Sequence, residues 1–298
     1  MLVPNLEDLL PLRARAKELS KYKKMASRES LAGSLQTKFK GQGLDFYQVR
    51  KYVAGDEIRS IDWRVTARTG KPHVKEFIEE KEANIDIICD VGPQMQFASH
   101  GRFKYILAAE IVSLLSFAAE QNKEKIKASF YGENLDEQTV IRQKNQKSVA
   151  LQIVNFLCLK RSLSVKNVKN NLISSLHSLN VTSKDHGVCF IIATNLEPSE
   201  ELKTELLRLS QKKQVYLVQL VDKLESELPD AGIISFKDFN GKKATLNLSD
   251  KKARSFYKAA FTGREKKIKD MCKNTKTRLI TLNTEEDALE TLVKGLRG

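Results

Sequence analysis

The chain reads as an α/β protein, with a mostly parallel sheet flanked by helices and a small N-terminal helix plus β-rich subdomain ahead of it. Three observations predict this. Short apolar runs at 84–91, 188–193 and 215–221 have the length and composition of parallel strands buried on both faces. Segments of helical periodicity lie between them, which makes βαβ units. Residues 33–82 instead carry glycines at 33, 41, 43, 55 and 70, then Pro72, between short runs rich in Tyr, Val and Ile. The expected division is therefore 1–82, holding the first helix and the β-rich subdomain, and 83–298, holding the α/β domain. A chain of 298 residues is long enough for either one large or two smaller cores.

In order along the chain, residues 5–25 predict a helix, acidic early and basic late as the helix dipole favours. Its apolar positions Leu6, Leu9, Leu10 and Leu12 suit docking on the body. It has neither the uninterrupted apolar centre nor the cleavage site of a signal peptide. Residues 84–91 form a strand ending in Asp90, where a functional loop is expected. Residues 102–121 form an amphipathic helix with Phe103, Ile106, Leu107, Ile111, Leu114, Leu115 and Ala118 on one face. A strand at 126–131 and helices at 147–160 and 168–180 follow. The strand 188–193, a helix at 200–212 and the strand 215–221 come next. Residues 232–248 predict a hairpin turning at Asn240-Gly241. A long helix at about 250–273, a strand at 277–282 and a helix at 284–296 complete the pattern. Ligands bind beyond the carboxyl ends of the strands in such sheets, which makes Asp90 to Gln94 and Thr194 to Leu196 the functional edge.

Composition narrows the function. The chain is 41% hydrophobic and 30% charged, as in ordinary globular proteins, and no apolar run is long enough to cross a bilayer. The formal net charge of +14 suits an anionic partner. The lysines are scattered, however, and no nucleic-acid-binding motif accompanies them, so a solvated basic surface is the expectation. Cys89, Cys158, Cys189 and Cys272 make no Cys-x-x-Cys pair, which fits a reducing cytoplasm. The four histidines lack zinc-ligand spacing. The chain contains no phosphate-binding Gly-Lys-Ser/Thr loop, no Gly-x-Ser-x-Gly elbow and no His-Glu-x-x-His. Gly41-Gln42-Gly43 lacks the third glycine of a dinucleotide site. Binding, without catalysis, is the expected role.

The densest information lies at 39–82. Arg50, Asp56, Arg59, Asp62, Arg64, Arg68 and Glu76 alternate there with Phe46, Tyr47, Tyr52, Ile58, Ile61, Trp63 and Phe77. Arginine's planar fork pairs bidentately with carboxylates. The pattern predicts Arg50, Arg59, Arg64 and Arg68 paired with Asp45, Asp56, Asp62 and Glu76, beside a buried Trp63. An alternative uses Asp62 with Glu79-x-Lys81, which has the carboxylate–carboxylate–lysine spacing of Mg²⁺-dependent nucleases.

This stretch also resembles a known signature. Gly41-Gln42-Gly43-Leu44-Asp45-Phe46, Val49-Arg50-Lys51-Tyr52, Gly55-Asp56-Glu57-Ile58-Arg59 and Ile61-Asp62-Trp63-Arg64-Val65-Thr66-Ala67-Arg68 are similar to the bacterial "domain of unknown function 58" family. Lys75-Glu76-Phe77, Glu79-Glu80 and the later Phe130-Tyr131-Gly132 fit as well. The resemblance implies a von Willebrand factor type A-like (Rossmann-like) domain after the signature. It also implies association with MoxR-type AAA+ ATPases, with no defined chemistry. Domains of that type often hold Mg²⁺ through Asp-x-Ser-x-Ser, a Thr and a further Asp. Here the first loop reads Asp90-Val91-Gly92-Pro93-Gln94, the Thr loop falls near Asn170, and the last position falls at Thr194-Asn195. One carboxylate and no hydroxyl on the first loop predict a degenerate site without Mg²⁺ or another cofactor. Asp90 is then expected to cap backbone N–H groups, with Gln94, Thr194 and Asn195 left to offer neutral oxygens.

Overall fold

The computed structural model describes residues 2–19, 44–79, 84–132, 139–142, 148–159, 171–183, 187–237 and 243–297, with the backbone alone at 44–47, 76–79 and 237. The chain divides into two compact units, residues 1–30 with 83–298 and residues 31–82.

The larger unit is built on six strands: β3 (Asn84–Asp90), β4 (Lys125–Tyr131), β5 (Thr139–Arg142), β6 (Gly187–Thr194), β7 (Lys213–Val221) and β10 (Arg278–Asn283). Their order across the sheet is β10-β7-β6-β3-β4-β5. All pairings are parallel except that of the edge strand β5, which the apolar pattern did not announce. The strands fall where the sequence places them, because a strand covered on both faces must be apolar throughout. β3 and β6 are neighbours from which the chain departs in opposite directions, so the topological switch point lies between them.

Helices cover both faces. α4 (Lys104–Gln121), α5 (Val149–Cys158) and α10 (Ala288–Arg297) share a core with Ile85, Ile87 and Cys89 of β3. α6 (Leu172–Thr182), α7 (Glu200–Ser210) and the C-terminal part of α9 (Lys251–Asn274) pack around Ile88, Cys189 and Ile191 on the other face. The alternation of side chains along β3 divides the two cores. α4 is not the one-faced helix its periodicity suggests. Lys104, Tyr105, Ser113 and Ser116 are buried along with its apolar residues, so packing surrounds it. A single-turn helix α8 (Lys223–Ser226) and a two-stranded hairpin, β8 (Ile233–Lys237) with β9 (Lys243–Asn247), stand between β7 and α9. The predicted hairpin is thus present, and its turn at 240–241 lies outside the described residues.

The N-terminal helix corrects the expected division. It forms two pieces, α1 (Leu6–Leu9) and α2 (12–19), interrupted at Leu10–Pro11, where proline has no N–H to continue the ladder. Leu9, Leu12, Ala16 and Leu19 are buried in the first core of the larger unit. Arg15 Nη2 donates to both carboxylate oxygens of Asp287, at 2.9 Å each. Gln121 Nε2 donates to the Arg13 carbonyl at 2.6 Å. Apolar residues on one helical face must be covered, and the α/β unit is what covers them.

In the smaller unit β1 (Leu44–Lys51) pairs antiparallel with β2 (His73–Glu79), with an irregularity between Phe46 and Gln48. Between the strands the signature folds as a helix, α3 (Trp63–Thr69), where strands were expected. Asp62 Oδ1 accepts from the N–H groups of Arg64 at 3.0 Å and Val65 at 3.1 Å, an N-cap. Gly70, at φ 68°, ends the helix in the left-handed conformation that glycine adopts without a Cβ penalty. Thr66 Oγ1 accepts from the His73 N–H at 3.0 Å, tying the helix to β2.

Candidate functional site at the carboxyl edge of the sheet

Asp90 ends β3 and is fully buried. Its Oδ1 accepts from the Gly92 N–H at 2.8 Å, and its Oδ2 accepts from Gln94 Nε2 at 2.7 Å. The expected capping role is therefore what the geometry gives. Burial pushes its carboxyl up to about 6, against the pull of those two bonds and of the Lys104 ammonium. Gly92 and Gly132 let the loops close over it. At Gly132, φ 92°, an added Cβ would lie 2.6 Å from Asp90 Oδ1. Gln94 presents its amide nitrogen to the carboxylate, contrary to the neutral oxygen expected of it.

The residue the sequence reading missed is Lys104. It opens α4 with no exposed surface. Its Nζ donates to Thr194 Oγ1 at 2.8 Å and to Glu225 Oε1 at 2.5 Å, and lies 5.7 Å from the centre of the Phe97 ring. Burial lowers its pKa, while the charges of Glu225, Asp222 and Asp90 oppose that shift. Thr194 Oγ1 in turn donates to the Leu220 carbonyl at 2.9 Å. Asn195 has φ 52°, and its Oδ1 accepts from Arg264 Nη1 at 3.4 Å.

Asp222 stands at the carboxyl end of β7, as Asp90 does for β3. It accepts from the Ser99 N–H at 2.8 Å, Ser99 Oγ at 2.5 Å, the Leu224 N–H at 2.9 Å and Thr284 Oγ1 at 3.0 Å. Burial alone would raise its pKa; these bonds hold it below the ordinary carboxylate value. Two signals for the missed residues were present in the sequence. The apolar run 215–221 is followed by Asp222, repeating the pattern at Asp90, and Lys104 is the single cation of a long, largely apolar helix.

This donor set does not suit Mg²⁺. A hard divalent cation wants several free oxygens in octahedral array. Both Asp90 oxygens are engaged within their own loop, and the oxygens of Thr194 and Asn195 accept from Lys104 and Arg264. Among the described residues no group of three or more His, Cys, Asp or Glu is placed to hold a metal. Asn170 lies outside the described residues.

Above the Lys104–Glu225 pair opens a cleft of 340 Å³. Phe97, Leu224, Leu228, Phe236, Leu246 and Tyr257 make it largely apolar, and Gln94, Asn195 and Glu225 are its polar groups. Tyr257 Oη donates to the Leu224 carbonyl at 3.2 Å, which links α9 to α8.

The signature residues belong to the other unit. Arg50 grips Asp56 with two nitrogens, at 2.6 and 2.8 Å, and Asp56 also accepts from the Val53 N–H at 2.8 Å. This is the one predicted arginine pair among the described residues. Asp62 is engaged in capping and faces Lys75 at 3.7 Å rather than an arginine. Arg59, Arg64 and Arg68 are exposed, with no ion pair among the described residues. Trp63 is 67% exposed, which overturns its expected burial. Tyr52 is half-buried, while Gly55 (φ 107°) and Ala67 are exposed. Gly41, Gly43 and Lys81 lie outside the described residues, as do the side chains of Asp45, Glu76 and Glu79. The nuclease alternative gains nothing, because Asp62 is spent on the helix cap and its lysine pair.

Three comparisons bear on kinship. A family model described as "Protein of unknown function DUF58" matches residues 48–267. An uncharacterised protein of Mycobacterium bovis is 21% identical over 255 residues, covering 85% of this chain and 79% of its own length. An uncharacterised protein of Mycobacterium tuberculosis gives the same values. Among solved structures, the chain is similar to an aerotolerance-related membrane protein from Bacteroides fragilis. That match has TM-score 0.44 and 13% identity, over 72% of this chain and 98% of the other. It is also similar to a von Willebrand factor type A protein from Catenulispora acidiphila, at TM-score 0.37 and 10% identity, over 74% and 44%. Among the described residues no helix is long and apolar enough to cross a membrane.

Proposed function

From the premise that this chain belongs to the DUF58 family of proteins of unknown function, we propose that it is a non-enzymatic adaptor that binds other proteins. One observation carries the reading. At the switch point, where sheets of this topology bind ligands, the polar side chains bond to one another and the open space is an apolar cleft. A catalytic site needs a nucleophile or base free to meet substrate. Asp90, Asp222 and Lys104 are instead committed inward. The exposed Trp63 beside Arg59, Arg64 and Arg68 supports the same reading, because tryptophan and arginine are enriched among residues that dominate protein interfaces.

The partner that the signature's resemblance implies is a MoxR-type AAA+ ATPase acting on a further client, within the cytoplasm. Affinity purification of the tagged chain from its native host, with cross-linking and mass spectrometry, tests this. The expected result is a stoichiometric AAA+ ATPase, cross-linked to this chain. Recovery of the chain alone, at physiological salt and with ATP present, would overturn the partner assignment.

A further inference from the structure

The cleft at the carboxyl edge has a chemistry of its own, and it says more than that a protein binds. We infer that the cleft takes an extended peptide segment bearing one large apolar side chain between acidic residues. This deepens the adaptor reading and rests on it.

The walls call for an apolar side chain. Six of the lining residues are apolar, and two of them, Phe97 and Leu246, are 36% and 43% exposed at the mouth. Covering such surface releases water at about 25 cal/mol per Å². The cavity's 340 Å³ is at the small end for ligand sites, which suits one side chain better than a bulky cofactor.

The polar groups call for an amide. Gln94 Nε2 is committed to Asp90, which leaves Gln94 Oε1 as an acceptor at the cleft. Asn195 Oδ1 faces Arg264, which leaves Asn195 Nδ2 as a donor. One acceptor and one donor beside an apolar hollow match the N–H and C=O of a peptide backbone. The charge of Glu225 is already answered by Lys104, so the cleft makes no demand for a cation.

The surrounding charge calls for acidic flanks. Lys223 of α8, Lys243 of β9 and Lys251 and Lys252 of α9 are exposed on the elements that build the cleft. Two acids that follow α8 are paired, Glu227 with Lys258 and Asp230 with Arg254. Asp250 caps α9. Charge complementarity of this kind favours an acidic segment, and a donor and an acceptor beside a hollow sized for one side chain favour peptide over nucleic acid.

The probe is fluorescein-labelled acetyl-Glu-Glu-Phe-Glu-Glu amide, titrated with the full chain by fluorescence polarisation at 0.15 M salt. Saturable binding is expected, at least tenfold weaker when the probe's Phe is replaced by Ala or its Glu residues by Lys. Leu246→Asp should weaken it at least tenfold, and Val181→Asp, at an exposed position of α6 outside the cleft, should leave it unchanged. Amide shifts of the wild-type chain on adding the probe should map to Phe97, Asn195 and Leu228, which keeps the test independent of any folding defect in Leu246→Asp. Equal affinity for the Ala probe, shifts confined to other surfaces, or displacement by single-stranded oligonucleotide but not by unlabelled peptide would overturn the inference. If Leu246→Asp still recovers the AAA+ ATPase while the probe fails to bind wild type, the cleft assignment falls and the adaptor reading stands.

Discussion

Lys104 shows how much one side chain can organise. An ammonium with no exposed surface is tolerable only when opposite charge surrounds it, and Glu225, Asp222 and Asp90 do so. Lys104→Met should therefore strand Glu225 and its neighbours and cost about 3 kcal/mol, as removal of one partner of a buried pair does. Urea denaturation measures it; an unchanged midpoint would mean that the carboxylates do not depend on Lys104. The pair of Lys213 with Asp86, 2.8 Å apart and almost fully buried, shows a second use of the same device in β7 and β3.

At the scale of the element, α3 and its neighbours revise what the signature's charges do. They were expected as a network of arginine–carboxylate pairs. Of the two acids whose side chains are described, Asp56 does pair with Arg50 and clamps the turn after β1, while Asp62 starts α3 instead. An N-cap is worth about 1 kcal/mol, less than a buried ion pair. Asp56 carries the pH dependence. Hydrogen bonds from Arg50 and from the Val53 N–H lower its pKa from 3.8 to about 2. A carboxyl group lowered on folding gives stability that is present above its unfolded value and lost as pH falls through the folded one. The smaller unit should hold its structure above pH 4 and lose the contribution of this clamp between about pH 4 and pH 2. Backbone amide shifts of Val53 and Asp56 followed by NMR should report the titration, and Arg50→Gln should move its midpoint upward. A midpoint near 3.8 in the wild type would show that the pair does not form.

At the scale of the molecule, the donor set at the sheet edge does not suit a divalent cation. Titration of Mg²⁺ or Mn²⁺ by calorimetry should show no saturable site at millimolar concentration, because Lys104 and Arg264 already face the oxygens of Thr194 and Asn195. A sub-millimolar site abolished by Asp90→Ala would contradict this. The two units also differ in how their burial is arranged. The larger encloses two cores, one on each side of its sheet. Of the apolar side chains described in the smaller, Val74 is buried while Val53, Ile58 and Trp63 are exposed.

The sequence by itself determined the α/β class, the strands β3, β4, β6, β7 and β10, the hairpin β8–β9 and the loops that would face a ligand. Each of these follows from local periodicity or from a turn dipeptide, and burial on both faces of a sheet imposes apolar runs that no distant contact can disguise. The family signature was likewise visible as a run of residues. What only the tertiary structure decided were the partners of charges. Lys104 meets Thr194 and Glu225 across 90 and 121 positions of chain, and Ser99 meets Asp222 across 123. No local rule links residues so far apart, since their proximity is set by the order of strands in the sheet. The placement of α2 on the larger unit and the exposure of Trp63 were decided the same way. An amphipathic helix or a tryptophan states only that apolar surface exists; which surface covers it is a property of the fold.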